Sequence, residues 1–154
     1  MITTKTSLFA AIFAIALLAQ TSCDHTPKEP RNIITDTKGL AIDLKWATGK
    51  NEPTALSEAD LDLDVLDAKG EILSSYNKSE FEHVDLTSLL ADGTYTIKVS
   101  LYELYKKSNY TLSITGATSG KIFNASGVLI AGFQSSINIL KIVKSGDKFT
   151  LTAI

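Results

Sequence analysis

The feature that most constrains this chain is a period of two in its apolar residues, repeated in segment after segment. In residues 40–46, Leu40, Ile42, Leu44 and Trp46 fall on one side and Ala41, Asp43 and Lys45 on the other. Residues 60–66 repeat the pattern, with Leu61, Leu63 and Val65 set against Asp60, Asp62 and Asp64. Tyr95, Ile97, Val99 and Leu101 continue it, followed by Tyr110, Leu112 and Ile114. Successive side chains of a strand point to opposite faces, so this alternation predicts strands packed on one side and wet on the other. The helical period is absent, and only residues 56–60 and 86–91 leave room for a helical turn.

The separators carry turn chemistry. Asp67-Ala68-Lys69-Gly70 puts Asp first and Gly fourth, which suits a type I turn leading into a hairpin. Ala91-Asp92-Gly93, Ser126-Gly127 and Ser145-Gly146-Asp147 read the same way. Beyond Gly116, residues 121–125, 128–133, 137–143 and 148–153 form further strand-like segments. Half-buried strands must cover one another's apolar faces. The fold expected is an all-β, antiparallel β-sandwich, jelly-roll-like, of roughly eight to ten strands.

The amino terminus follows a different logic. Residues 7–19 are an apolar run preceded by Lys5, the layout of a secretory signal with a charged start and a short apolar stretch. The run is shorter than the roughly 20 residues needed to span a bilayer. Cys23, the one cysteine of the chain, follows directly in the sequence Ala19-Gln20-Thr21-Ser22-Cys23. Small residues before a cysteine resemble a lipobox, the acylation signal of bacterial lipoproteins, although Gln20 stands where an aliphatic residue is usual. An exported thiol without a partner would be free to cross-link, and acylation with palmitate removes that hazard. Residues 24–32 are polar and hold two prolines, which favours an extended tether. The chain thus divides into a lipoprotein signal peptide (1–22), a lipid-anchored tether (23–32) and one sandwich domain (33–154). The expected location is a bacterial envelope, anchored by lipid and displayed on the outer membrane.

The 15 basic and 17 acidic residues nearly balance. No basic stripe offers to neutralise phosphates, which argues against nucleic-acid binding. Residues 60–73, 91–99 and 109–114 resemble the pre-peptidase C-terminal domain family and its relatives, the collagen-binding domains of bacterial collagenases. The resemblance implies a non-catalytic jelly-roll sandwich of the kind appended to secreted enzymes, covers about a third of the chain, and leaves the strands after Ile114 unexplained.

Two groups of residues stand out as candidate sites. Asp60, Asp62, Asp64 and Asp67 crowd like charges along one strand. They are read as a solvated face paired with lysines such as Lys45 or Lys98, with calcium as the alternative occupant because it takes six or more oxygens. Tyr102, Tyr105, Lys106 and Lys107, in what reads as a hairpin, offer exposed rings and cations for a protein or glycan partner. Tyr110 and Trp46 are expected in the core. His83 and His25 are too far apart for a zinc site, and no G-x-S-x-G motif gives His83 a nucleophile. Catalysis is therefore not expected. The function expected is that of an envelope binding or structural lipoprotein without a cofactor. An accessory component of a secreted hydrolase system and an immunity or inhibitor lipoprotein are the alternatives.

Overall fold

A computed structural model describes residues 30–132 and 135–154. Among these residues the chain forms ten strands and one short helix. They run β1 (Ile33–Thr35), β2 (Gly39–Ala47), α1 (Glu52–Glu58), β3 (Ala59–Asp67), β4 (Gly70–Ser75) and β5 (Phe81–Thr87), then β6 (Gly93–Leu104), β7 (Ser108–Gly116), β8 (Ile122–Leu129), β9 (Ser136–Ser145) and β10 (Lys148–Ala153). Two antiparallel sheets result, one ordered β1-β10-β9-β6-β3-β4 and the other β5-β2-β7-β8. The β3–β4, β7–β8 and β9–β10 connections stay within a sheet, and the other strand-to-strand passages cross between sheets. Frequent crossing is the jelly-roll way of winding two sheets around one core. The expected all-β sandwich is the observed fold.

The alternation places the core as anticipated. Leu40, Ile42, Leu44 and Trp46 of β2 are buried, as are Leu61, Leu63 and Val65 of β3 and Ile97 and Val99 of β6. They meet Leu112 and Ile114 from the smaller sheet and Leu140, Ile142 and Phe149 from the larger. Truncating one such side chain, as in Leu63→Ala, costs about 2–5 kcal/mol through lost burial and the cavity left behind.

Three local expectations are corrected. The helix spans Glu52–Glu58, starting earlier than the turn expected at 56–60, because a proline in the first turn suits a helix start. Residues 86–91 are not helical, since β5 continues through Thr87 before a turn. Ser126-Gly127 is no turn but the interior of β8, so one strand, Ile122–Leu129, stands where two were expected at 121–125 and 128–133, and residue 133 lies outside the described residues. Gly127 is paired with Tyr110, and a Cβ there would meet the Tyr110 ring and hydroxyl at 2.6–2.7 Å. The glycine accommodates a cross-strand ring in place of a chain reversal.

Buried Asp36 fastens the two sheets at one end. Its Oδ1 accepts from the backbone N–H groups of Lys38 (2.8 Å) and Gly39 (3.2 Å). Its Oδ2 accepts from Thr118 N (2.7 Å), Thr118 Oγ1 (3.0 Å) and Ser119 N (2.7 Å). Burial by itself raises this carboxyl, but the backbone donors outweigh it and hold the group well below the usual carboxylate range. The β1–β2 bend is thereby stitched to the β7–β8 turn. At the β5–β6 and β9–β10 turns Asp92 does similar work, accepting from Gly146 N (2.8 Å) and Lys144 Nζ (3.1 Å).

Candidate functional site

The outer face of the six-stranded sheet carries a cleft of about 420 Å³ lined by Asp60, Asp62, Tyr76, Asn77, Lys78 and Tyr102. An adjoining hollow of about 300 Å³ shares Asp60, Lys78 and Tyr102 and adds Leu56 and Glu103. Clefts of this size accommodate small molecules or a few side chains of a larger partner.

Local structure explains each lining residue. Asp60 and Asp62 project outward from β3 because Leu61 and Leu63 are turned into the core. Across the ladder, Asp60 is opposite Glu103 and Leu61 opposite Leu101, so Tyr102 is the extra residue of a β-bulge. Bulges re-aim side chains at sheet edges and sites. This one leaves Tyr102 74 % exposed beside the two carboxylates. Tyr76, 59 % exposed, follows β4 at the start of the passage to the other sheet.

That passage is pinned by a buried acid. Glu82 of β5 lies at the sandwich edge and accepts from the Ser75 hydroxyl, from Asn77 N (2.8 Å) and from Asn77 Nδ2 (3.1 Å). Its inward direction follows from parity with Val84 and Leu86. Burial pushes the Glu82 carboxyl up, against the pull of those donors. The acid therefore fixes the segment bearing Tyr76 and Lys78 from beneath the cleft.

The electrostatics of the cleft are negative. Asp62 is pushed up to about 6, first by burial and then by the charges of Asp60, Glu82 and Asp64. Burial also raises Asp60, with Glu103 adding to the effect and Lys78 opposing it. One Asp60 carboxylate oxygen is shielded from solvent and has no hydrogen-bond partner among the described residues. These are carboxylates that gain from a cation placed between them.

The four aspartates singled out in the sequence have separate fates. Asp64 is only 1 % exposed, although the alternation correctly turns it away from the core. Its burial comes from outer-face neighbours: Lys98 Nζ at 3.0 Å, Ser100 Oγ at 2.6 Å and the Tyr76 hydroxyl at 3.2 Å. Of the two lysines expected to pair with this face, Lys98 does so. Lys45 belongs to the other sheet and lies 5.5 Å over the Phe81 ring. Asp67 caps its own turn through Lys69 N (2.7 Å) and Gly70 N (3.1 Å). Among the described residues no group of three or more His, Cys, Asp or Glu side chains is placed to hold a metal ion. The oxygen set that calcium requires is not assembled from these four residues.

The tyrosine group also divides. Tyr102 joins the acidic strand, whereas Tyr105, Lys106 and Lys107 are exposed at the β6–β7 corner and do not line the cleft. That corner joins two sheets and is not a hairpin. Tyr105 N (2.8 Å) and Lys106 N (3.3 Å) donate to the Glu58 carbonyl, docking the corner on the end of α1. Trp46 is in the core, and Tyr110 packs against that core over Gly127.

His83 stands on the outer face of the smaller sheet. Its Nδ1 is 2.7 Å from Asp43 and its Nε2 is 3.3 Å from Asp85. The Asp43 hydrogen bond raises the His83 pKa, burial opposes that, and Asp85 adds to the rise. Cys23 and the signal and tether residues 1–29 lie outside the described residues. No helix among the described residues is long and apolar enough to cross a membrane. In comparison with known proteins, the chain matches no family model, no curated protein and no solved structure.

Proposed function

We propose that this chain is a non-catalytic lipoprotein of a bacterial envelope, acylated on Cys23, whose sandwich binds an extracytoplasmic protein through the cleft around Asp60, Asp62, Tyr76 and Tyr102. The observation that carries this reading is the convergence of two exposed tyrosine rings on two carboxylates raised above their usual range. A guanidinium or ammonium group satisfies both at once. It pairs with the carboxylates and is attracted to the ring faces. A cationic side chain of a partner protein is thus the ligand favoured over a neutral sugar.

The tether and anchor rest on the sequence of residues 7–32, and the sandwich resembling a pre-peptidase C-terminal domain would be held a short distance from the lipid. Labelling cells with radioactive palmitate tests the anchor: incorporation should disappear with Cys23→Ala, and persistence of label in that variant refutes it. Binding is tested by calorimetric titration of residues 24–154, which include both sheets, with an acetylated arginine-containing tetrapeptide amide. Saturable heat is expected, weakened at least tenfold by Tyr102→Ala. No heat, or equal heat from a neutral disaccharide, overturns the ligand assignment.

A second reading, a component of a secreted hydrolase system, draws on a single observation. A carboxyl pushed up to about 6 suits a general acid. Hydrolysis of a glycan substrate that disappears with Asp62→Asn would favour that reading.

A further inference from the structure

Each sheet of an open sandwich ends in two edges, and an unprotected edge offers unpaired N–H and C=O groups to any other strand. Three of the four edges here are guarded. β1 has only three residues. β4 has an irregular register at Val65/Leu66 on its partner, β3, and carries Glu71. β5 carries Glu82, His83 and Asp85 along its seven residues, and is tied to β4 by the Ser75 hydroxyl donating to Glu82.

The fourth edge, β8, lacks all of these devices. It is eight residues long, and its register with β7 is unbroken from Ser108↔Leu129 to Thr115↔Ile122. It contains no proline, and no charged residue occurs between Lys121 and Lys141. Among the described residues it pairs only with β7. Ile122 and Val128 are nevertheless exposed, at 57 % and 47 %. A long, regular, uncharged edge bearing apolar side chains is what a protein keeps for pairing.

We propose that β8 is a self-association edge, on which a second copy of this chain adds its own β8 antiparallel and joins two four-stranded sheets into one of eight. The register of that pairing follows from the pattern of exposed and covered residues. Directly opposed residues of an antiparallel pair share a face, so the two-fold axis lies between one residue and its own copy, which are then directly opposed. Centring it on Ala125 sets Ile122 opposite the partner's Val128, and Val128 opposite the partner's Ile122. Asn124 faces the partner's Ser126. On the covered side Phe123 meets the partner's Gly127, where the partner's Tyr110 ring lies. Every outward apolar residue of the strand gains an apolar neighbour, and no like charges are opposed.

Self-pairing is favoured over capture of a foreign strand by this complementarity of the strand with its own reverse. One added ladder is a small interface, so association in solution is weak and is strengthened when copies share a membrane surface.

Sedimentation equilibrium of residues 24–154, from about 10 μM to about 1 mM, tests the proposal. The average mass is expected to rise toward twice the monomer mass across that range. Asn124→Lys with Val128→Lys should keep the protein monomeric, with thermal unfolding confirming that it remains folded. A parent that stays monomeric throughout, or a dimer that survives both lysines, overturns the proposal. Ala125→Cys gives an independent reading that adds no charge to the edge. Its Cα would be about 4.5–5.5 Å from the partner's, within disulfide reach of about 4.4–6.8 Å. Mild oxidation should yield covalent dimer in this variant and none in Ser113→Cys on β7. Absence of Ala125→Cys dimer, or equal dimer from both, overturns the proposed axis.

Discussion

Replacing Asp62 with Asn should make this protein more stable at neutral pH, and the size and pH dependence of the gain follow from the cleft. In the folded chain Asp62 is raised from 3.8 to about 6 by burial and by Asp60, Glu82 and Asp64. A difference of that size corresponds to roughly 3 kcal/mol, at about 1.4 kcal/mol per tenfold change. Water reaches the partly exposed carboxylate and screens the repulsion, so about 1 kcal/mol is the expected effect. Because the folded group holds its proton more tightly than the unfolded one, the contribution of Asp62 to stability is greatest below pH 3.8. It falls as pH rises through about 6, and is level above that. The amide of the Asp62→Asn variant cannot ionise and escapes the loss. Urea unfolding of parent and Asp62→Asn at pH 3.5 and 7.5 should give equal midpoints in acid. At the higher pH the variant should gain about 1 kcal/mol, with unchanged m-values. A variant no more stable at pH 7.5, or a gain independent of pH, would refute the claim that the cleft holds Asp62 under electrostatic stress. The same variant should bind the arginine peptide more weakly, a trade between stability and function.

Other perturbations follow from the same physics. Asp36→Asn breaks a carboxylate with five donors and should cost about 3 kcal/mol by urea unfolding. The parent's advantage should be full above pH 3.8 and lost as pH falls through the depressed folded value. Lys98→Met removes the cation next to buried Asp64 and should cost about 2 kcal/mol in the same assay, with Asp64→Asn in addition recovering part of it. His83→Gln should cost about 0.5 kcal/mol at pH 5.5. The cost should vanish as pH rises through the elevated His83 pKa, because the stabilising pairs with Asp43 and Asp85 need the protonated ring.

Much of the fold was legible because strand alternation is a local signal. Leu40, Ile42, Leu44 and Trp46 report their own burial from four positions of sequence, and the same holds for Leu61, Leu63 and Val65. Gly127 misled for the opposite reason. Its role depends on the ring of Tyr110 across the ladder, so next to Ser126 it reads as a turn. Asp36 lies outside the alternating segments, yet the sequence around it carries a signal. Asp36-Thr37-Lys38-Gly39 has the same Asp-x-Lys-Gly spacing as Asp67-Ala68-Lys69-Gly70. In both, the Asp caps the bend and the Gly takes a positive φ, 110° and 135°.

The cleft was legible only in parts. The exposure of Tyr102 and the outward direction of Asp60 and Asp62 follow from parity along single strands. Their meeting depends on the pairing of β3 with β6, about 40 residues apart in sequence, and on a bulge that no local pattern announces. Glu82 could have been placed inward by parity with Val84 and Leu86. Its partners Ser75 and Asn77 belong to a passage between sheets, whose geometry depends on both edges at once.

The most direct test of the cleft as a cation-binding site is a carboxyl-carbon NMR titration of Asp62, run without ligand and with the acetylated arginine peptide at saturation. The free protein should titrate near 6, and the bound cation should draw that value down toward the ordinary range. An Asp62 that titrates as an ordinary carboxylate in the free protein, or whose titration the peptide leaves unmoved, would contradict the account.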